Sequence, residues 1–457
     1  MRSGVIVFLL TALLFSPLTP SQAQKEIPLS LGDCVNLALR NNSQLRNSER
    51  RVSLAGTNVL SSWSAVLPRV NSSFASGKYI QGARVRKMDV PVDIDPVTGQ
   101  VIYKQRDIVQ ESVSRYSHYA RVSLTQNLFD FGLSWNRIKQ ADAGMRASEQ
   151  LMVSTKQAVI FDVMRKYYEL LKAQKLEEVY REAVNSSEEQ VKRTESMYEI
   201  GSVALADVYK AKVNLGNNQI LFITQHNLVA MAKANLNTAI GRDPDLPLEI
   251  IEVEAEEVPA RYSFEEATRL ALENNPELKS LQEDIKSYEY GVKVAKAAYL
   301  PSFGASVSYS RDNEVFDKVY SKNLNRDYSV SLGVGLDFNI FNGFADKAAL
   351  DRENLNYHIA QEDLLNRQRT VKAEVEQAFL SQKAYREIAE IDQQNLVSAE
   401  EDLRLAQERY RVGSGTLLEV IDAQVGVTRA RSTLVAAKYD TKIAQAQLEA
   451  AMGTLKE

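Results

Sequence analysis

The chain has 457 residues, 44% apolar and 25% charged, a balance that suits two or three folded domains or one large one. Its net charge is −4 at pH 7, about −5 without a leader carrying Arg2, so no basic excess points to nucleic acid. A single cysteine, Cys34, excludes an intrachain disulfide and a thiolate metal cluster.

The opening stretch "MRSGVIVFLLTALLFSPLTPSQAQ" joins Arg2, an apolar run from Val5 to Phe15 and a small-residue site at Ser21-Gln22-Ala23. It predicts a secretory signal peptide over 1–23, with a mature chain from Gln24 outside the cytoplasm. The run is too short to span a bilayer as a helix. Cys34 lies beyond the cleavage site and follows an acid, Asp33, so it is expected to carry no lipid and to sit half-buried in a helix.

The segment "LSLGDCVNLALRNNSQLRN" (29–47) returns as "YSFEEATRLALENNPELKS" (262–280), a shift of 233 positions that also carries Leu67-Pro68 onto Leu300-Pro301. Further on the shift is 212: "LFDFG" (128–132) meets "IFNGF" (340–344), and the register then holds to Gly241 and Gly453. Two tandem repeats are therefore predicted, 24–261 and 262–457. Each reads helix, strand, loop, strand, long helix, turn, helix. The change in shift falls between Pro68 and Phe129, where the first repeat is expected to have the longer loop. Asn41-Asn42 and Asn274-Asn275-Pro276 interrupt the first helical segment of each repeat, because asparagine favours turns and the residue before proline avoids the helical region.

Strands are expected near 68–82 and 116–130 in the first repeat and near 301–312 and 326–342 in the second. In "YSVSLGVGLDFNIF" the residues Val330, Leu332, Val334 and Leu336 alternate with Ser331, Gly333, Gly335 and Asp337, so one face is apolar and the other small and polar. A soluble sheet on a core is one reading. Strands of this length with an apolar outside and a polar inside also suit an outer-membrane barrel, and four strands are too few to close one, which implies an oligomer.

The helical hairpins are predicted over 135–241 and 344–453, the long helix from Trp135 to Glu199 reaching about 95 Å. Val420, Val427, Leu434, Thr441 and Leu448 alternate with Ala423, Ala430, Ala437, Ala444 and Ala451 in a strict heptad, which imposes left-handed supercoiling. The first repeat keeps Val208, Leu215, Phe222, Val229 and Leu236, with Ala211, Ala232 and Ala239 in the other row, which Asn218 and Gln225 interrupt. The hairpin turns repeat as "YEIGSVALADV" (198–208) and "YRVGSGTLLEV" (410–420), with Gly201 and Gly413 positioned to reverse the chain.

His118, His226 and His358 have no metal-ligand spacing and there is no glycine-rich phosphate loop, so neither catalysis, a cofactor nor a metal is expected. A periplasmic coiled-coil adaptor or structural protein is the alternative class, although an adaptor would carry one hairpin flanked by small β domains. The duplicated unit, the Leu-Pro junctions, "LFDFG" and the paired tip motifs resemble the TolC family of outer-membrane efflux proteins over nearly all of the mature chain. The resemblance implies a mainly helical fold with a membrane β-barrel part. It implies a homotrimer whose twelve-stranded barrel continues into a helical tunnel across the periplasm, docking on an adaptor and an inner-membrane pump. It also implies roles for tip residues: Gly201, Ser202, Gly413 and Ser414 in adaptor docking, and Tyr410, Asp207, Glu419 and Asp422 at a periplasmic gate, with a solvated helix face the other reading of each acid. The best-known member has an arginine two residues after the second tip glycine; Gly415 stands there, so that ion pair is not expected.

Overall fold

A computed structural model of the chain describes residues 28–252 and 262–455; the predicted leader lies outside them. The first repeat begins with α1 (Leu31–Asn41) and α2 (Ser43–Trp63). Ser30 starts α1 through a reciprocal box with Asp33, and the side chain of Asn42 accepts from the amides of Gln44 and Leu45 to start α2. The asparagine pair thus ends one helix and caps the next. Cys34 is fully buried beneath α1, more deeply than its sequence position suggested, and burial followed by the charge of Asp33 pushes its thiol up to about 11.

Two strands of the first repeat, β1 (Arg69–Gln81) and β4 (Val113–Phe129), flank β2 (Arg84–Ile94) and β3 (Val101–Gln110). The expected longer loop is therefore corrected: most of it is a second antiparallel hairpin, β2 on β3. Its charged strands carry too few alternating apolar residues to declare a period of two. The polypeptide then enters α3 (Leu133–Glu199) and α4 (Leu205–Ala239). At the strand–helix corner, Phe131 and Gly132 adopt positive φ, and the Asp130 carboxylate accepts from the Ser134 amide at 3.0 Å.

The second repeat supplies α5 (Phe264–Asn274), α6 (Pro276–Ala297), β5 (Ser302–Asn313), a short α7 (Phe316–Tyr320), β6 (Ser329–Asp337), α8 (Ala345–Arg411) and α9 (Leu417–Ala451). β6 is shorter than the expected 326–342, because the chain turns from Phe338 onward toward the Gly343–Phe344 corner. The long helices α3 and α8 both have 67 residues, and the returning α4 and α9 both have 35.

Four strands form one antiparallel sheet in the order β1-β4-β5-β6. Its register places Val122 opposite Tyr309, Leu124 opposite Val307, Val307 opposite Leu332 and Ala305 opposite Val334, an apolar face across three strands. On the other face Ser308 bonds Ser331 at 2.7 Å and Ser310 bonds Ser329 at 2.9 Å. Among the described residues no helix is long and apolar enough to cross a membrane.

The main core lies where α1, α3 and α4 meet, with Val163, Tyr167, Leu170, Leu236 and Ile240 buried. Tyr167 donates to the Ile251 carbonyl at 2.6 Å, fastening the segment after α4 to α3. A second core joins α5 and α6 to α8 and α9 through Ala271, Leu278, Val371, Val375 and Met452. At each site the break after the first helix sits on the glycine that ends the hairpin. Gly241, at φ 76°, has space for no side chain: a Cβ there would lie 2.7 Å from Asn41 Cβ. Gly453, at φ 68°, packs the same way on Asn274.

Candidate functional site at the hairpin tips

The turn at each tip is built by local sequence. At the end of α3, Gly201 takes φ 75°, its amide donates to the Tyr198 carbonyl at 2.9 Å, and the Ser202 amide reaches the Met197 carbonyl at 2.8 Å. At the end of α8, Gly413 takes φ 76° and the Ser414 amide bonds the Arg409 carbonyl at 2.9 Å. Both are left-handed helix stops that satisfy carbonyls otherwise without donors. Gly201, Ser202, Gly413 and Ser414 are exposed.

The first tip enters α4 with Asp207 in its first turn, where the helix dipole favours an anion. Lys210 stands 3.3 Å from that carboxylate, and Lys212 ties α4 to Glu195 of α3 at 2.8 Å. The second tip enters α9 through Thr416, whose hydroxyl accepts from the Glu419 amide at 3.3 Å. Arg409 reaches Glu419 at 3.1 Å.

Tyr410 joins the two hairpins. Its ring is half-buried beside Val191, Ala211, Leu417 and Ile421, and its hydroxyl points to the Met197 sulfur at 3.8 Å. Burial, followed by the nearby Asp207 charge, raises its pKa above the usual tyrosine value, with Arg193 opposing. Tyr410 and Asp207 are thus brought close across the hairpins. Glu419 is occupied by Arg409, while Asp422 is exposed and forms no ion pair among the described residues.

Arg409 went unnoticed in the sequence, although "ERYRVGSG" places it in the last turn of α8, where a cation complements the dipole. Gly415 has its own steric reason: a Cβ there would lie 3.0 Å from Arg409 Cβ and 3.2 Å from the Tyr410 amide nitrogen. The loop folds tightly over the helix end and Arg409 provides the cation on this side. No group of three or more His, Cys, Asp or Glu among the described residues is placed to hold a metal.

The family model described as outer membrane efflux protein matches residues 34–242 and 267–454. The outer membrane protein TolC of Vibrio cholerae is 22% identical over 432 residues, spanning 94% of this chain and 91% of that protein. The alkaline protease secretion protein AprF of Pseudomonas aeruginosa is 25% identical over 350 residues, spanning 75% and 70%. In fold, the chain is similar to the Campylobacter jejuni CmeC outer membrane channel, with a TM-score of 0.76 at 19% identity over 93% of this chain and 85% of that one. The family match takes in both repeats and disfavours the adaptor alternative. The chain belongs to the outer membrane efflux protein family: it is a channel of the outer membrane with a helical periplasmic part, a conduit in an export system and not an enzyme.

Proposed function

We propose that three copies of this chain close one barrel of twelve strands, four from each, and that their hairpins form a tunnel whose tips dock on a periplasmic adaptor. An inner-membrane pump supplies the energy, since the sequence offers no phosphate-binding loop. The observation that carries this reading is the sheet itself. β1 and β6 each pair on one side only. In hydrocarbon every unpaired backbone group is costly, so both edges require a neighbour. Apolar side chains on α4 and α8, among them Val213, Ile223, Ile359 and Val397, are exposed on a single protomer and provide faces for adjacent copies.

In this arrangement Tyr410, Asp207, Glu419 and Asp422 surround the tunnel mouth, and Gly201, Ser202, Gly413 and Ser414 face the adaptor. The relatives include a protein named for protease secretion as well as the efflux family, so cargo follows from the pump rather than from these tips. A photoreactive residue at Ser202 or Ser414 in living cells is expected to capture a periplasmic coiled-coil protein. The same residue at Thr224, far along α4, is not. Capture at all three positions, or at none, would remove the tips as the docking site.

A further inference from the structure

The hairpin that replaces the expected loop is a separate two-stranded sheet that follows β1 and β4 in the same register. β1 pairs β4 from Arg69↔Thr125 to Gln81↔Val113, and β2 pairs β3 from Arg84↔Gln110 to Pro91↔Tyr103. Pairing lapses at 82–83 and 111–112, the same number of residues on each strand, so the register carries over and even-numbered residues keep to even-numbered partners up to the bulge at Pro91/Asp93. The even-numbered face begins with Val70, Phe74, Val122 and Leu124 on the apolar side of the sheet. Aromatic groups follow: α7 folds back onto this face, with Tyr320 6.3 Å from Phe74 and Phe316 5.3 Å from His118. Lys78 then lies over the Tyr116 ring at 5.4 Å.

Beyond the lapse the same face becomes basic. Arg84 and Arg86 of β2 and Lys104 and Arg106 of β3 occupy it with Met88, Val90 and Ile108 between them, and it carries no acid before the bulge at Pro91/Asp93. The opposite face is mixed, with Lys87 directly across from Asp107 and Asp89 next along. None of the basic-face cations has an ion pair among the described residues, in a chain whose net charge is −4. Apolar, aromatic and basic zones therefore succeed one another along a single face, the order a wall meets on passing from hydrocarbon through the interface to a layer of anionic headgroups. An isolated two-stranded ribbon is also marginally stable in water and gains from a surface to lie on.

We propose that the basic face of the β2–β3 ribbon docks on phosphate-bearing glycolipid headgroups of the outer leaflet around the barrel, with the unpaired 82–83 and 111–112 steps as the bend that lets it lean outward. This rests on the reading that the even-numbered sheet face meets lipid.

The test uses the full-length oligomer in detergent, with purified lipopolysaccharide as the probe and its dephosphorylated form as the control. Combined replacement of Arg84, Arg86, Lys104 and Arg106 by serine is expected to lower lipopolysaccharide retention about tenfold or more. The parent should bind the dephosphorylated form as weakly as the variant binds the intact one. Equal retention by parent and variant, or indifference to the phosphates, overturns the proposal. Should the quadruple variant fail to assemble, spin labels on single variants decide: on transfer to lipopolysaccharide-containing vesicles, Met88→Cys on the basic face should lose mobility and Val85→Cys on the other face should not. The same response at both positions also overturns it. Failure of the lipid-facing assignment would show separately, in the sheet substitutions described below.

Discussion

Glycine at the turns is set by two different constraints, and the structure separates them. Gly201 has positive φ with nothing near the site of a Cβ, whereas Gly241 has the same φ and Asn41 only 2.7 Å away. Gly201→Ala therefore costs only the backbone term, about 1–2 kcal/mol, while Gly241→Ala adds a clash at the junction of two helices. Thermal dissociation of the oligomer is expected to fall measurably further for Gly241→Ala, and equal shifts would show that the junction yields freely. Tyr410 holds its proton more tightly than an ordinary phenol, through burial and then Asp207. Its contribution to the tip is complete below the usual tyrosine pKa of about 10 and fades as pH rises beyond it.

Among elements, the long hairpins are held by seams that combine apolar and polar contacts. Val420, Val427, Leu434 and Leu448 are buried along α9. In α4 the two residues that break the heptad are also buried: Asn218 donates to Ser187 at 3.2 Å and Gln225 to the Ala173 carbonyl at 2.9 Å. A buried amide with its partner in one register opposes sliding of the helices. The sheet depends on which face meets lipid. Val334→Arg is expected to cost about 2–4 kcal/mol at mid-bilayer, and Ser331→Arg on the opposite face little. Survival of the heat-resistant oligomer on a gel reports both, and equal losses would refute the assigned faces.

For the whole molecule, charge at the mouth depends on which acids are already neutralised. Three chains would bring copies of Asp207, Glu419 and Asp422 together, yet Lys210 stands by Asp207 and Arg409 by Glu419. In the proposed trimer these cations, more than tyrosine hydroxyls, are expected to offset the repulsion. Among the described residues Asp422 has no such partner, so in the proposed trimer it is expected to dominate the field that selects ions. Asp422→Ala is expected to reduce the cation preference of channels in planar bilayers clearly more than Glu419→Ala, and Arg409→Ala to increase it. Reversal potentials under a salt gradient measure this; a larger effect from Glu419→Ala would place the selective ring on the paired acid.

Local sequence determined much of this design, because the signals involved act over a few residues. Asn42 and Asn275 cap the second helix of each repeat, Gly201 and Gly413 turn the hairpins, and the alternation of Val330 to Leu336 marks a strand with two unlike faces. The duplication itself was legible as paired motifs at fixed shifts. Cys34 at the bottom of a core, the seating of Asn41 on Gly241 and the Arg409–Glu419 pair required tertiary structure, since each joins residues from separate elements. The β2–β3 ribbon was hidden for a different reason. Its strands mix charged and apolar residues on both faces, so no period of two declares itself, and only the cross-strand pairing of the folded chain reveals the ribbon and the register it shares with β1 and β4.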